Sequence, residues 1–249
     1  MDAKTIAQLL LNAHANGQRV QIDPVSDQAL AYAVQDALLR EMGPVAGWKV
    51  GSKGLGQEPI CAPLPARGLL PSGVTLDDGY PLRGMEAELA FRLGRDLDVG
   101  DRLPEKAEMM DALDAMLPAI EDVESRLADY PHSGKLTQLA DLQSHGALIV
   151  GAAIPLSEPA TDLLRIEARL SFDEVEVAHT TGGNPAGDVW PVLAWLARHC
   201  SLRGMPLQKG QIITTGSCTG MLFADAALKV KADINGLGIV ELGFEQRLR

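Results

Sequence analysis

The sequence predicts an α+β fold: a β-rich main body over residues 47–249, entered through a small helical region over residues 1–46, the two forming one continuous unit. Three observations predict it. Apolar residues recur at helical spacing at the start, near residue 110 and near residue 195. Strict apolar/polar alternation marks other stretches, most clearly residues 85–93. Asp173-Glu174 and Asn235-Gly236 each separate two alternating runs, as hairpin turns do.

Ile6, Leu9, Leu10 and Ala13 define a first helix that Gly17 closes. Ser26, just after Asp23-Pro24, is placed to cap a second helix carrying Leu30, Ala33, Val34, Ala37 and Leu38, with Gly43-Pro44 ending it. Residues 47–51 (GWKVG) read as a strand. Trp48 and Val50 face the core, and Lys49 shares its side with two glycines, where a ligand has room to approach. Residues 54–84, rich in Gly and Pro, read as a long irregular loop with short strands.

In residues 85–93, Met85, Ala87, Leu89, Phe91 and Leu93 line one face of a strand; Glu86, Glu88, Ala90 and Arg92 line the other. A helix is expected from near Pro104, with Ala107, Met110, Leu113 and Met116 on one side and Pro118 as its stop. Residues 119–124 follow as a short strand. The polar stretch 127–143, with Tyr130, His132 and Lys135, reads as an exposed loop or lid. Residues 147–150 suit a buried strand, and 166–177 a hairpin. Asp188 can cap a helix through Trp190, Leu193, Leu196, Ala197 and Cys200, with Gly204 beyond its end. Residues 211–215 form a strand delivering the turn 216–220 (GSCTG), and 227–234 with 237–244 make the last hairpin.

Composition narrows the function. Thirty-three acidic against 22 basic side chains give a net charge of −11 without a basic cluster, which argues against nucleic-acid partners. Aromatic residues, at 4%, are too few for base-stacking platforms. No apolar run has the length of a membrane span, and the first residues read as a mature helix rather than a signal peptide. Cys61, Cys200 and Cys218 are widely spaced and form no C-x-x-C pair, which fits a reducing cytoplasm and argues against structural zinc.

The chemistry centres on Glu86 and Glu88. Two carboxylates two residues apart on a strand point the same way, with Cα atoms about 6.6 Å apart. Both can reach one hard cation, whose oxygen ligands lie at about 2.1–2.5 Å. A third carboxylate from residues 119–124 would complete an oxygen-rich triad, and spacing alone leaves Glu121, Asp122 and Glu124 all open.

The order of motifs then resembles a known family. GWKVG (47–51), MEAELAFRLGRDL (85–97), AIEDVESR (119–126), LADLQS (139–144), GNP with AWLA (183–197), IITTGSCTG (212–220) and NGLGIV (235–240) appear in sequence. Together they are similar to the fumarylacetoacetate hydrolase superfamily, in its 2-keto-4-pentenoate hydratase and 4-oxalocrotonate decarboxylase branch. The resemblance implies a β-rich roll or distorted barrel, a homo-oligomer, and a Mg²⁺ or Mn²⁺ site. By motif match the metal ligands are Glu86, Glu88 and Glu121, the motif lysine is Lys49, and the turn holding a substrate carboxylate offers Ser217 and Thr219. Ser144 joins them as a substrate-binding candidate.

The sequence departs from the family where D-N-x-S is replaced by Asp141-Leu142-Gln143-Ser144. It departs again where acidic residues give way around Pro59-Ile60-Cys61-Ala62 and Ala66-Arg67, and in the longer segment 182–191.

The expected activity is addition of water to a 2-hydroxy-2,4-dienoate, giving a 4-hydroxy-2-oxo acid in aromatic-compound catabolism. Lys49 and Asp141 are the proton-handling candidates, while Lys49 and the backbone amides of 216–220 balance the substrate's charge. The alternatives are decarboxylation of a 2-oxo-3-hexenedioate-type diacid and C–C hydrolysis of an acylpyruvate with His132 or His145 as base. A metal-stabilised ligand-binding domain without turnover is the non-enzymatic reading.

Overall fold

The computed structural model describes residues 1–52, 54, 56–156 and 162–246. Helices α1 (Ala3–Asn16) and α2 (Gln28–Met42) open the chain. Asp2 caps α1 by accepting from the Thr5 amide at 2.8 Å, and Gly17 closes it with φ 64°. The cap of α2 is Asp27, one residue past the expected Ser26. The Asp27 carboxylate accepts from the Leu30 amide at 2.8 Å, and the Ser26 hydroxyl donates to that carboxylate at 2.7 Å. A full negative charge at the positive end of the helix dipole outcompetes a hydroxyl.

Strands β1 (Val45–Gly51), β2 (Ile60–Pro65), β3 (Leu69–Pro71) and β4 (Val74–Leu76) come next, followed by β5 (Gly84–Leu93). The Pro-rich stretch expected as loop therefore supplies a six-residue strand, β2, antiparallel to β1 with Trp48 opposite Pro63. It lies at the sheet edge, where a proline's missing N–H leaves no partner unsatisfied.

The helix expected through Met116 is shorter. α3 (Lys106–Ala112) hands over directly to β6 (Leu113–Val123), an 11-residue strand that passes through Pro118. Pro118 is tolerated because the neighbour of β6 changes there, from β7 (His145–Val150) at Ala119 to β8 (Ile154–Pro155) at Met116. The stretch expected as an exposed lid contains α4 (Lys135–Ala140), whose Leu139 and Ala140 are buried in the main core. Its polar groups turn inward, with the Thr137 hydroxyl accepting from the Val25 amide at 3.1 Å and Gln138 donating to the Ser133 carbonyl at 3.0 Å.

The expected hairpin forms from β9 (Glu167–Phe172) and β10 (Val175–Thr181), turning at Asp173 and Glu174 with φ 46° and 68°. α5 (Val189–Leu202) is capped by Asp188 as expected. β11 (Ile212–Ser217) and β12 (Leu222–Phe223) precede the closing hairpin of β13 (Lys229–Ile234) and β14 (Gly238–Phe244).

The main sheet runs β2-β1-β11-β5-β6-β7-β3, with β12 on β5 and β8 on β6; a second sheet runs β10-β9-β13-β14-β4. The sheets stack through Met85, Ala87, Ile120 and Ile149 against Leu170, Val230, Ala232 and Val240. The helices cover the rest of the main sheet, and Ile6, Leu10 and Leu38 share a core with Trp48, Phe91 and Leu193. On the other face of the main sheet, Leu64 of β2 clusters with Ala90, Ala119, Leu148 and Ile212, and Leu69 of β3 packs against them. Residues of both edge strands thus meet over one concave surface, so the sheet curls. No ladder joins β2 to β3 among the described residues, so the shape is an open roll rather than a closed barrel. Alternation leaves Glu86 and Glu88 on that concave face.

Candidate metal centre

The triad follows from register. β5 and β6 pair antiparallel with Glu86 opposite Glu121, and Glu88 lies one pleat further on, opposite Ala119. Each of the three offers an oxygen within 4.8 Å of the others'. Glu88 and Glu121 are buried and Glu86 is half-buried. Of the other two candidates for third ligand, Asp122 points to the opposite face, buried with neither oxygen hydrogen-bonded. Glu124 lies past the strand end, where it accepts from the Leu82 amide at 2.7 Å.

Each acid is held differently. The Thr214 hydroxyl and, at 3.3 Å, the Gly216 amide donate to Glu88 Oε2. Glu121 Oε1 receives the Lys49 ammonium and lies 3.3 Å from His145 Nδ1. Lys49 reaches it because β1 lies beside β11, with Lys49 opposite Thr214, and the same ammonium donates to the Gln143 carbonyl at 3.1 Å. That carbonyl is presented by an unusual run of three left-handed residues, Leu142, Gln143 and Ser144, with φ of 49°, 54° and 57°.

Burial, with repulsion from Glu121, pushes the Glu86 carboxyl up to about 7. Burial and then both neighbouring acids push Glu88 well above the carboxylate range. Burial also pushes Glu121 upward, but Lys49 and His145 outweigh it and the net shift is downward. Three carboxylates and one ammonium carry a formal charge of −2, which a divalent cation neutralises. An all-oxygen donor set, in which burial and mutual repulsion oppose ionisation of Glu86 and Glu88, fits a hard divalent ion.

This has a pH consequence. Between about pH 4.5 and 7 the folded, metal-free protein keeps a proton on Glu86 that the unfolded chain has lost. The folded state then binds more protons, so this group's contribution to stability falls as pH rises through that window. We expect the metal-free protein's melting temperature to drop from pH 5 to pH 8 on this account, with added Mg²⁺ raising it more at pH 8 than at pH 5. An equal Mg²⁺ shift at both values would contradict the coupling.

The remaining candidates are placed as follows. The Ser217 hydroxyl is buried and unpartnered beside Glu88, its residue's register partner. Thr219 Oγ1 accepts from the Ala87 amide at 3.1 Å and donates to the Gly220 carbonyl at 3.1 Å, so it ties the turn to β5. Two amides expected to face substrate are already used, Gly216 on Glu88 and Cys218 on the Ala87 carbonyl at 2.8 Å. The Ser144 hydroxyl is buried without a partner. His132 is exposed, whereas His145 is buried against Glu121.

Asp141 is not open to a substrate. It is buried, accepting from Arg126 Nε at 2.7 Å, the Arg126 amide at 3.0 Å and the Ser125 hydroxyl at 3.1 Å. Arg126 in turn donates to the His145 carbonyl at 2.6 Å. Breaking a buried pair costs about 3–5 kcal/mol, so Asp141→Asn is expected to lower the melting temperature by at least about 6 °C. An unshifted melt with lost turnover would instead return Asp141 to proton chemistry.

Two contributors were not singled out from sequence. Thr214 could have been found as a hydroxyl side chain two residues ahead of the GSCTG turn. Tyr130 is half-buried, with its hydroxyl 3.7 Å from Met221 Sδ. Burial and then the charges of Glu86 and Glu121 raise its pKa.

A curled, two-sheet roll holding a largely buried carboxylate triad and an ion-paired lysine defines a protein whose concave face fits a hard cation. The chain belongs to the fumarylacetoacetate (FAA) hydrolase C-terminal family, whose sequence profile matches residues 71–244. It is 34% identical over 161 residues to the 2-keto-4-pentenoate hydratase of Paraburkholderia xenovorans (strain LB400). That alignment covers 65% of this chain and 58% of the relative, less than two thirds of its length. Over 98% of the chain it is 28% identical to 2-keto-4-pentenoate hydratase 1 of Dechloromonas aromatica (strain RCB), covering 97% of that protein. Its fold matches the 4-oxalocrotonate decarboxylase from Pseudomonas putida G7, complexed with magnesium and adipate. The TM-score is 0.84 over 98% of this chain and 97% of that one, at 22% identity.

Proposed function

We propose that the protein is a Mg²⁺- or Mn²⁺-dependent hydratase acting on a 2-hydroxy-2,4-dienoate, with Glu86, Glu88 and Glu121 as metal ligands. The observation that carries this reading is the convergence of three acids with Lys49 on the concave face, in a chain similar along nearly its whole length to a 2-keto-4-pentenoate hydratase. When bound, the ion supplies Lewis acidity to the C2 oxygen of a substrate chelated through its carboxylate. The unpartnered Ser217 hydroxyl supports a role in orienting that carboxylate, with Thr219 holding the turn in place. The unpartnered Ser144 hydroxyl is assigned a second substrate contact.

Hydration requires loss of the 2-hydroxyl proton, protonation at C5, addition of hydroxide at C4 and a proton at C3. The net change is one water added. Lys49 is assigned to handle a proton in this sequence, since its ammonium is the donor already held at Glu121. Asp141 acts through Arg126, fixing the segment that carries Gln143 and His145.

Decarboxylation of a diacid is the second reading. It is favoured by the commitment of Asp141 to Arg126, which leaves that acid unable to activate water. The test is a panel of 2-hydroxypenta-2,4-dienoate, 2-oxo-3-hexenedioate and an acylpyruvate with Mg²⁺ or Mn²⁺. The dienoate's absorbance is expected to disappear with the largest rate and only with metal. Carbon dioxide release from the diacid at a higher rate would move the assignment to decarboxylase. Binding of all three without turnover would leave a ligand-binding domain.

No helix among the described residues is long and apolar enough to cross a membrane. Three buried free thiols support placement in a reducing cytoplasm. Self-association into a homo-oligomer belongs to the same proposal and is read by light scattering.

A further inference from the structure

The concave face differs on the two sides of the triad. Beyond Glu88 it is filled, with Ala90, Ala119, Ile212 and Leu64 buried in one cluster. In the other direction lies Glu86, the least buried of the three acids. Gly84 follows it on the same face, one pleat or about 6.6 Å further along β5. Gly84 pairs with Val123 of β6, as Glu86 does with Glu121.

Met221 covers that position. Its neighbour Leu222 pairs with Met85 and packs into the core between the sheets, so alternation sends Met221 to the concave side. A Cβ on Gly84 would lie 3.1 Å from Met221 Sδ and 3.2 Å from Val123 Cβ, so the thioether rests on bare backbone. The Tyr130 hydroxyl donates to the same sulfur at 3.7 Å, and both residues are half-buried. Three separate segments thus wall this end with a thioether, an isopropyl group and a phenol ring.

The arginines carried by the neighbouring segments are engaged elsewhere. Arg83 stacks 4.1 Å over the Phe244 ring and donates to the Ala227 carbonyl at 3.2 Å. Arg126 is committed to Asp141 and the His145 carbonyl, and Arg19 pairs with Glu124 at 3.6 Å. A carboxylate brought against this wall would lose water without gaining a cation, which is costly. A methyl or methylene group loses nothing there.

We propose that Met221 and Tyr130, backed by Val123, form the end wall that reads the substrate's tail, so that the protein takes 2-oxo and 2-hydroxydienoic monoacids with a short apolar end and rejects diacids and longer chains. This rests on the metal-site reading above. There the substrate carboxylate lies toward Ser217, whose register partner is Glu88. The substrate chain then runs the other way, past Glu86 and toward Gly84, because the face beyond Glu88 is filled.

Binding to the full chain is measured by calorimetry in Mg²⁺, with 2-oxo acids that have no double bond to hydrate. 2-Oxohexanoate and 2-oxoadipate differ only at the far end, a methyl group against a carboxylate. We expect the monoacid to bind at least about tenfold tighter. 2-Oxooctanoate, longer by two methylenes, should bind at least about tenfold more weakly than 2-oxohexanoate. Met221→Ala and Tyr130→Ala should each bring the two chain lengths to within about threefold. Both should leave the affinity for pyruvate, too short to reach the wall, unchanged. The inference is overturned if the diacid binds as tightly as the monoacid, or if neither variant narrows the chain-length gap. Loss of pyruvate binding in both variants overturns it too, since these residues would then support the whole site rather than read its far end. No metal-dependent binding of any 2-oxo acid to the unaltered protein would remove the metal-site reading and this inference together.

Discussion

Glu88→Gln is expected to lower metal-dependent turnover by at least about a thousandfold, or roughly 4 kcal/mol of transition-state stabilisation, while the fold stays intact. The two effects separate because of what surrounds the side chain. Glu88 Oε2 accepts from Thr214 and the Gly216 amide, and a glutamine amide oxygen in the same position can accept both. What disappears is a charge that the site finds costly without a cation, since burial and the neighbouring acids already hold this carboxyl well above its ordinary range. The metal-free variant should therefore melt no lower than the parent at pH 8. Calorimetry should show Mn²⁺ or Mg²⁺ binding weakened by at least about a hundredfold, beyond the 10–100-fold typical of an outer-shell partner. Retained metal-dependent turnover would remove Glu88 from the ligand set.

Lys49→Met should produce the opposite split. Turnover is expected to fall by about 10²–10⁴-fold, the range for loss of a positioned proton-transfer group. Affinity for the divalent ion should hold or tighten, because the ammonium and the ion compete for Glu121. The metal-free variant should also lose stability, as Glu121 and the Gln143 carbonyl are left as buried acceptors without their donor. Adding metal should restore most of the melting temperature but not the rate. An unchanged rate takes Lys49 out of the chemistry, and a metal affinity that collapses makes it part of the cation site instead.

Much of this was legible in the chain, and the failures have a common origin. Alternation in residues 85–93 and the hairpin turns at Asp173-Glu174 and Asn235-Gly236 are local patterns, and the structure follows them. Residues 107–116 fit a helical stripe at Ala107, Met110, Leu113 and Met116. Residues 115–120 (AMLPAI) are a continuous apolar run, which suits a buried strand as well as a helix, and pairing with β5 decided for the strand. Pro118 reads as a helix stop only if the change of partner from β7 to β8 is not known. The 127–143 stretch looked exposed because it is polar, yet Thr137, Gln138 and Asp141 spend their polarity inside the protein.

By itself the sequence determined that Glu86 and Glu88 share a face, because the two-residue period of a strand is a property of neighbouring peptide units. It left Glu121, Asp122 and Glu124 equivalent until motif resemblance singled out Glu121, and it could not show that Asp141 pairs with Arg126. Only the tertiary structure decided those points, through the register that sets Glu86 opposite Glu121 and the β1–β11–β5–β6 order that brings Lys49 across to it. Register and strand order are set by pairing between segments tens of residues apart, where each shift of one residue exchanges the buried and open faces.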